Sequence, residues 1–469
     1  MLFNTWVFGG FLILVLSIYW LLRTPNFQNP FLLIASLFFY GFGGVKFLAL
    51  ILLCSFSAYV AGRLIELHPQ HSRKFLVTTA LITLGTLFVF KYFNFFMDNF
   101  TTRLDWIGIE LDSITVRLVL PIGISFFTFQ SLGYVVDVHR GTVPAEKNPI
   151  VFFLFVTFFP QLVAGPIERA NHLLPQIKKQ RNLTGDDLLS GTFLLLQGLV
   201  KKIVIADNIK PIVDVLFAQE DLSSPLVVAA LVGFTFQIYC DFSGYSDIAR
   251  GVSRLLGFRL LLNFQRPYWS SSPSEFWNRW HITLSNWFRD YVYIALGGNR
   301  VSIGRNFINL FLTMTLSGLW HGASTNFILW GAYHGLLLIA YRVWKSNKNE
   351  RTSQNYTKLL DVSSRLLTFA FMVYGWLLFR VTNWEQIKGY SVALVTDLSF
   401  ASLGVLTLAS MSIYVVGAIA VDICESQFVD KKTDNVKSTY LLAPYLTAMM
   451  LALLVLGSRS GGDFIYFKF

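Results

Sequence analysis

Long apolar runs alternate with short polar connectors over most of the chain. The first run, from Trp6 to Leu22, holds seventeen residues without a charge, which is about the minimum length that crosses a bilayer. We count thirteen such runs and expect about eleven to cross, because several are too short for a full span. The pattern therefore predicts an all-α, polytopic membrane protein that also contains re-entrant and amphipathic helices.

One of these runs is expected to break. The segment from Leu118 to Val136 carries Pro121 and Gly123 near its start, and proline removes a backbone donor and clashes with the preceding turn. Broken helices at membrane depth are buried in protein or line a cavity. A transporter or channel with its site at this break is the alternative from another functional class.

The regular alternation stops near the middle of the chain. Two apolar runs, Leu188 to Val200 and Leu226 to Cys240, are separated by a connector that contains Lys201 and Lys202. From Asp241 to Asn306 the chain is polar and aromatic, and this segment is too long for a plain connector. We expect a loop region that carries function, since functional groups concentrate on loops held by a rigid frame.

Composition agrees with a membrane protein. The chain is 54% hydrophobic and 14% charged, with a mean hydropathy of +0.53, whereas soluble domains carry roughly 25% charged residues. We predict one membrane domain over residues 1–469, surrounded by the lipid bilayer. The net charge of +11 fits an excess of Lys and Arg in cytoplasmic loops such as Lys345 to Arg365. Binding to nucleic acid is not expected, because no soluble basic domain is evident.

Several kinds of site are not expected from the sequence. The three cysteines are isolated from one another, which argues against a disulfide framework and a zinc site. No HExxH spacing is present, so we predict no metal. Neither a GxSxG elbow nor a glycine-rich phosphate loop occurs. Histidine remains as the residue type best suited to acid–base or covalent chemistry.

The segment from Phe276 to Gly335 is rich in histidine and tryptophan, with three of the seven histidines and five of the twelve tryptophans of the chain. His321 ends an apolar run, and ionisable groups at membrane depth usually face a cavity or a partner. Imidazole can accept and return a proton near neutral pH. Gly322 removes a side chain beside this imidazole and is expected to let a ligand approach. The alternative is a buried histidine satisfied by a carbonyl group, or an interfacial anchor formed with Trp320.

A second histidine, His281, lies forty residues upstream. Its spacing from Trp277, Trp280 and Trp287 fits one face of a helix. An interfacial aromatic belt is the alternative interpretation of this pattern. His334 follows His321 by thirteen residues, which need not bring the two rings together, and we expect a packing or gating role for it. The remaining histidines, which we expect to be solvated in loops, are His68, His71, His139 and His172.

A buried histidine suits acyl transfer in a membrane. It can deprotonate an acceptor hydroxyl, while apolar walls exclude water and so suppress hydrolysis of a thioester.

At these residues the chain resembles the membrane-bound O-acyltransferase family. The segments RWHITLSNWFRDYVYIALGGNR and LWHGASTNFILWGAYHG match its signature, closest to the bacterial branch that acetylates alginate and D-alanylates teichoic acid. The GG after YIAL and a closing FIYF favour the alginate-acetylation type. Further blocks of the resemblance are Leu120 to Gly141, Phe158 to Arg169, Tyr239 to Gly251 and Phe464 to Phe469.

The resemblance implies a fold and a reaction. It implies a ring of membrane helices around a central tunnel, with the signature core at residues 240–344. It also implies acetyl-CoA as a cytoplasmic donor substrate without any bound cofactor. The acetyl group is then expected to reach a polysaccharide acceptor, with an extracytoplasmic acetyltransferase as the partner protein. The histidines of the family's WHG and RWH motifs correspond to His321 and His281.

We therefore predict a multi-pass O-acetyltransferase of the bacterial inner membrane that modifies an exported, alginate-like polysaccharide. His321 is expected to act as base or acyl relay, and His281 to assist. The residues expected to line the tunnel are Trp280, Trp320 and Asn326. The basic loop from Lys178 to Arg181 could bind the CoA phosphates. The alternative is that its positive charge only marks the cytoplasmic side of the membrane. Transfer of D-alanine to teichoic acid and acetylation of peptidoglycan are the alternatives within the family.

Overall fold

The computed structural model describes residues 1–107, 119–163, 165–219, 223–347, 357–396, 402–429, 435–437, 440–458, 462 and 464–465. The chain forms two compact units, Met1–Thr184 with Val252–Leu261, and Gly185–Gly251 with Leu262–Phe469. In the described residues the regular structure is helical, and the pairing of Val429 with Val436 is an isolated β-bridge. The all-α prediction is confirmed.

Within these residues, seven helical segments are long and apolar enough to cross a membrane, and three apolar helices are shorter. The prediction of a polytopic membrane protein is confirmed, and the number of crossings stays a prediction. The seven segments are Val45–Leu67, Pro69–Trp106, Gly185–Phe217, Ser224–Leu255, Thr325–Ser346, Leu360–Arg380 and Ala409–Phe428.

Nine α-helices are described in the first unit, where residues 108–118 and 164 lie outside the described part. They are α1 (Trp6–Leu21), α2 (Pro25–Gly41), α3 (Leu48–Leu67), α4 (Ser72–Leu87), α5 (Phe93–Trp106), α6 (Ile124–His139), α7 (Pro149–Thr157), α8 (Phe159–Leu162) and α9 (Ala170–Lys178). Helix α6 begins only after Gly123, which has a left-handed φ of 77°. Pro121 therefore lies before the helix, while Leu118, where the apolar run begins, lies outside the described residues, so a break in a longer helix stays a prediction. In the basic loop after α9, the Arg181 guanidinium is buried and donates hydrogen bonds to the side-chain oxygens of Gln28 and Asn29. Binding of CoA phosphates by this loop stays a prediction.

The second unit carries the candidate site. Its α-helices are α10 (Gly185–Leu199), α11 (Asp207–Phe217), α12 (Ser224–Leu255), α13 (Pro273–Trp277), α14 (Ile282–Phe288), α15 (Ile303–His321), α16 (Thr325–Ser346), α17 (Thr357–Arg380), α18 (Trp384–Thr396), α19 (Ser402–Phe428) and α20 (Leu442–Leu456).

The prediction of a loop from Asp241 onward is wrong at its beginning, because α12 is 32 residues long and runs past Cys240 to Leu255. The carboxylates that make this part of the sequence polar are neutralised from another helix. Lys202 Nζ lies 2.6 Å from Asp241 Oδ1 and 2.8 Å from Asp207 Oδ1. Lys201 Nζ lies 2.7 Å from an oxygen of Asp247 and also contacts Glu425. Buried charges persist where they are paired in this way, so the helix remains intact; we call these ion pairs the lysine network.

Lys201 and Lys202 do not lie in a loop. They belong to a π-helical turn, Val200–Ala206, which joins α10 directly to α11. Single π-turns inside α-helices commonly occur at functional sites. Here the wider turn allows two consecutive lysines to be buried, each between two carboxylates.

The aromatic segment around His281 also differs from expectation. Trp277 ends α13, and α14 starts at Ile282, so His281 and its tryptophans do not share one continuous helical face. His281 separates the two helices with a left-handed backbone, φ 42° and ψ 53°. A left-handed conformation is uncommon for residues other than glycine, and such strain clusters at functional sites.

Helix α15 presents a buried polar stripe. Asn306, Asn309, Thr313, Ser317 and His321 are all buried and recur at intervals of three or four residues. Residues at this spacing lie on one face of a helix. The stripe extends over sixteen residues, from Asn306 to His321, and its fifteen steps of 1.5 Å span about 22 Å.

Candidate active site

His281 is held in one tautomer by its surroundings. Its Nδ1 lies 3.0 Å from Asn263 Oδ1, which also accepts from the Thr283 hydroxyl at 3.0 Å. An amide oxygen only accepts hydrogen bonds, so Nδ1 carries the proton and Nε2 carries the lone pair. Burial lowers the pKa of His281 to about 3. The imidazole is therefore neutral at physiological pH and can act as a base or a hydrogen-bond acceptor at Nε2.

His321 lies at the end of α15 inside an aromatic enclosure. Its side chain is 3% exposed. The ring centroids of Trp320 and Trp330 lie 5.0 Å away, and that of Phe379 lies 5.4 Å away. Such surroundings exclude water and strengthen the electrostatic interactions of a bound group.

The structure brings the two predicted histidines together through a shared neighbour. Trp320 contacts His321 and also lies 6.0 Å, between ring centroids, from His281. Trp280 is buried beside them and packs on Trp376 at 4.7 Å. Both predicted catalytic histidines and two predicted lining residues, Trp280 and Trp320, thus lie in one cluster, and their roles in catalysis and substrate binding stay predictions.

Two expectations about the neighbours of His321 change. A Cβ atom on Gly322 would lie 2.1 Å from the ring of Phe327, so protein occupies the space that was expected for a ligand. Asn326 donates to the carbonyl oxygens of Leu378 and Phe379 and so joins α16 to the end of α17. Its role in lining a tunnel stays a prediction.

His334 is closer to the site than its sequence spacing suggested. Its ring centroid lies 4.8 Å from Trp330 and 5.1 Å from Trp277. Trp330 also contacts His321 at 5.0 Å, so one indole lies against both imidazoles. The close packing of α15 on α16 produces this arrangement, since Gly331 lies against the backbone of Met314.

A cavity of about 580 Å³ lies next to this cluster. Cofactor-sized ligands occupy cavities of this size. Trp277, Thr313 and Ser317 belong to its wall, and Ser317 precedes His321 by one helical turn on the polar stripe. Three cations also line it, and Glu275 is the one carboxylate among its lining residues. The cations are Arg289, Arg342 and Lys345; we call this space the basic cavity.

The four remaining histidines lie outside the cluster. His68 and His71 are exposed, as expected. His139 ends α6 and is half-buried. His172 lies in α9, where Glu168 contacts its Nδ1 at 2.7 Å, and this hydrogen bond raises the pKa of His172. The described residues contain no group of three or more His, Cys, Asp or Glu arranged to hold a metal ion.

Sequence reasoning missed Asn263, Phe379 and the cations of the basic cavity. Asn263 and Phe379 are distant from the histidines along the chain and carry no local motif. The polar stripe of α15 was available as a signal, since its polar residues recur with helical periodicity inside an apolar run.

Comparison with known proteins gives consistent matches. Residues 43–384 match the model of MBOAT, the membrane-bound O-acyltransferase family. The "Probable alginate O-acetylase AlgI" of Azotobacter vinelandii is 38% identical over 420 residues, covering 87% of this chain and 82% of that protein. Its Pseudomonas aeruginosa namesake is 40% identical over 376 residues, covering 80% and 70%. The "Peptidoglycan O-acetyltransferase" of Helicobacter pylori is 35% identical over 393 residues, covering 78% and 73%.

Proposed function

The chain belongs to the membrane-bound O-acyltransferase family, and we propose that it transfers acetyl groups to hydroxyls of an exported polysaccharide. The relatives named as alginate O-acetylases support acetyl as the acyl group and a polysaccharide as the acceptor. We place the enzyme in the bacterial plasma membrane, with an extracytoplasmic acetyltransferase as its partner protein.

We propose acetyl-CoA as the donor, and the basic cavity is the observation that carries this assignment. Arg289, Arg342 and Lys345 provide positive charge that matches CoA phosphates. The same cavity reaches Ser317, one turn from His321. A bound thioester can therefore keep its phosphates at the cations while its acyl end points toward the imidazole.

In the proposed reaction His321 is the base or the acyl relay. For direct transfer, the acceptor oxygen bonds to the acetyl carbon as its proton passes to the imidazole. The carbon–sulfur bond then breaks, and the thiolate takes up a proton, so one ester and one thiol are formed. His281, neutral and fixed by Asn263, assists through Nε2. The aromatic enclosure keeps water from competing with the acceptor.

The acyl group and its acceptor are tested by analysing ester-linked acetate on the exported polysaccharides. A deletion strain is complemented with wild type or with His321→Ala, at equal membrane levels. We expect wild type alone to restore acetate to an extracellular polysaccharide. Acetate restored by His321→Ala would show that His321 only packs. Acetate restored to peptidoglycan instead would favour the function named for the Helicobacter pylori relative.

The donor site is tested with two thioesters that differ in their phosphates. Arg342→Gln should raise the KM for acetyl-CoA about tenfold or more, because a charge-assisted contact contributes on the order of 1.5–3 kcal/mol. The KM for acetyl-pantetheine, which lacks phosphates, should stay the same. Lys210→Gln, outside the cavity wall, is the matched control. Equal effects of Arg342→Gln on both donors would place the phosphates elsewhere.

A further inference from the structure

Several ring nitrogens in this cluster are buried without a hydrogen-bond partner in the described part of the chain, and three of them belong to rings that all contact one another. They are Nε1 of Trp277, Nε1 of Trp330 and Nδ1 of His334. The rings contact one another, with centroid distances of 5.6 Å for the two indoles, 5.1 Å for Trp277 and His334, and 4.8 Å for Trp330 and His334. We call these three residues the nitrogen triad.

Unpaired buried donors are costly. Each one lacks the hydrogen bond it makes in water, at about 1–3 kcal/mol. Three such groups on mutually contacting side chains are unusual, since most buried polar side-chain atoms in folded proteins have a partner. The arrangement is typical of a site that receives its hydrogen-bond acceptor from a ligand.

The nitrogen triad also contacts both the basic cavity and His321. Trp277 belongs to the wall of the basic cavity. Trp330 contacts His321 with a centroid distance of 5.0 Å. The triad thus joins the proposed donor cavity to the proposed catalytic histidine.

We propose that Trp277, Trp330 and His334 form the oxyanion site of the acetyl transfer, donating N–H hydrogen bonds to the carbonyl oxygen of the thioester. This inference rests on the proposed function, because it requires an acetyl thioester as substrate. His334 acts here as an uncharged donor, in the tautomer that carries its proton on Nδ1.

The electron flow at this site is simple. As the nucleophile bonds to the carbonyl carbon, the π electrons of the carbonyl move onto its oxygen, and the three N–H groups stabilise the negative charge. When the carbonyl re-forms, the electron pair returns and the carbon–sulfur bond breaks. Neutral donors fixed inside aromatic walls are effective, because little competing water screens them and no reorganisation is needed.

The first test removes one donor and keeps an aromatic ring. In purified protein supplied with acetyl-CoA and a soluble polysaccharide as the acceptor, release of CoA thiol by Trp330→Phe should show a kcat about 10²-fold below wild type. Its KM should change less than about twofold, because the hydrogen bond strengthens only in the transition state. Trp376→Phe is the matched control: among the described residues its indole nitrogen is also buried without a partner, but its ring packs on Trp280, Trp330 and Phe379 rather than on His334. Equal kcat values for the two variants would overturn the proposal.

A spectroscopic test separates hydrogen bonding from packing and needs no turnover. Acetyl-CoA labelled with ¹³C at the carbonyl is bound to His321→Ala, and its carbonyl stretch is read by isotope-edited infrared spectroscopy. Hydrogen bonds lower this frequency, so the band should move to higher frequency when Trp330→Phe is added. An unmoved band would refute the role of Trp330.

Two further measurements keep the outcome interpretable. If Trp330→Phe fails to fold, 3-benzothienylalanine at position 330 keeps the shape of the side chain and replaces N–H by sulfur, and the same loss of kcat is expected. If wild type supplied with acetyl-CoA and acceptor releases no CoA, and labelled acetyl-CoA gives no bound carbonyl band, the donor assignment has failed. This result is distinct from an active wild type with an unaffected variant.

Discussion

At the scale of single residues, Asn263 decides how His281 can act. Its amide oxygen accepts from Nδ1 of the imidazole, while its Nδ2 donates to the Ser246 hydroxyl at 3.2 Å. This second bond fixes the orientation of the amide, and the amide in turn fixes the tautomer. Because burial lowers the pKa of His281 to about 3, no ionisation of this residue should appear in a pH–rate profile between pH 5 and 8.

Replacement of Asn263 tests this chain of contacts. Asn263→Ala should lower kcat by about tenfold to 10²-fold, since proton transfer by a positioned side chain contributes about 10²–10⁴-fold. Asn263→Asp keeps an acceptor oxygen and should retain more activity than Asn263→Ala. The measurement is steady-state release of CoA thiol from acetyl-CoA in the presence of the polysaccharide acceptor at pH 7, with protein levels and thermal stability matched. Equal losses in the two variants would mean that Asn263 only packs.

At the scale of helices, charge pairing allows polar sequence to lie in long buried helices. The lysine network joins the π-helical turn Val200–Ala206 to α12 and α19. Close beside it, the Tyr239 hydroxyl donates to Asp422 Oδ1 at 2.7 Å. A buried ion pair often contributes little net stability, but removing one partner leaves an uncompensated charge, at about 3–5 kcal/mol.

Lys202→Met tests the lysine network. It leaves Asp207 and Asp241 buried without their shared cation, so we expect a lower thermal unfolding midpoint and less protein in the membrane. Adding Asp241→Asn should recover part of the loss, because it removes one of the two unpaired charges. Lys345→Met, at an exposed lysine, is the control and should not change the midpoint. An unchanged midpoint in Lys202→Met would show that water or other groups replace the cation.

At the scale of the whole molecule, the sequence predicted what depends on local pattern. Apolar runs predicted helices, and the motifs around His281 and His321 identified the family and its histidines. The errors lie where distant residues act together. Asp241 resembles a loop residue until Lys202, thirty-nine positions earlier, neutralises it. His281 interrupts a pattern that resembles one continuous helix, and that interruption depends on Asn263, eighteen positions earlier. His334 joins the site through the packing of α15 on α16, which spacing alone does not specify.

The direction of transfer can be tested at the two ends of α16. This helix has 22 residues, or about 33 Å, enough to cross a bilayer. Positive charge collects at the cytoplasmic face, so Lys345→Cys should react with a membrane-impermeant maleimide only from the cytoplasmic side. Thr325→Cys, at the other end, should react only from outside. Cys424 is replaced by serine, since Cys54 and Cys240 are buried. Labelling of Lys345→Cys from outside would reverse the proposed donor side.

The π-helical turn at Val200–Ala206 constrains how this chain can evolve. A π-turn holds one residue more than an α-helical turn, so deleting one residue there would restore regular α-helix. The wide turn would then close, and the side chains within it, including Lys201 and Lys202, would change direction relative to the helices on either side. Lys202 and Asp207 could no longer both meet their partners. This segment should therefore accept many substitutions among relatives, yet rarely a change of length by a single residue.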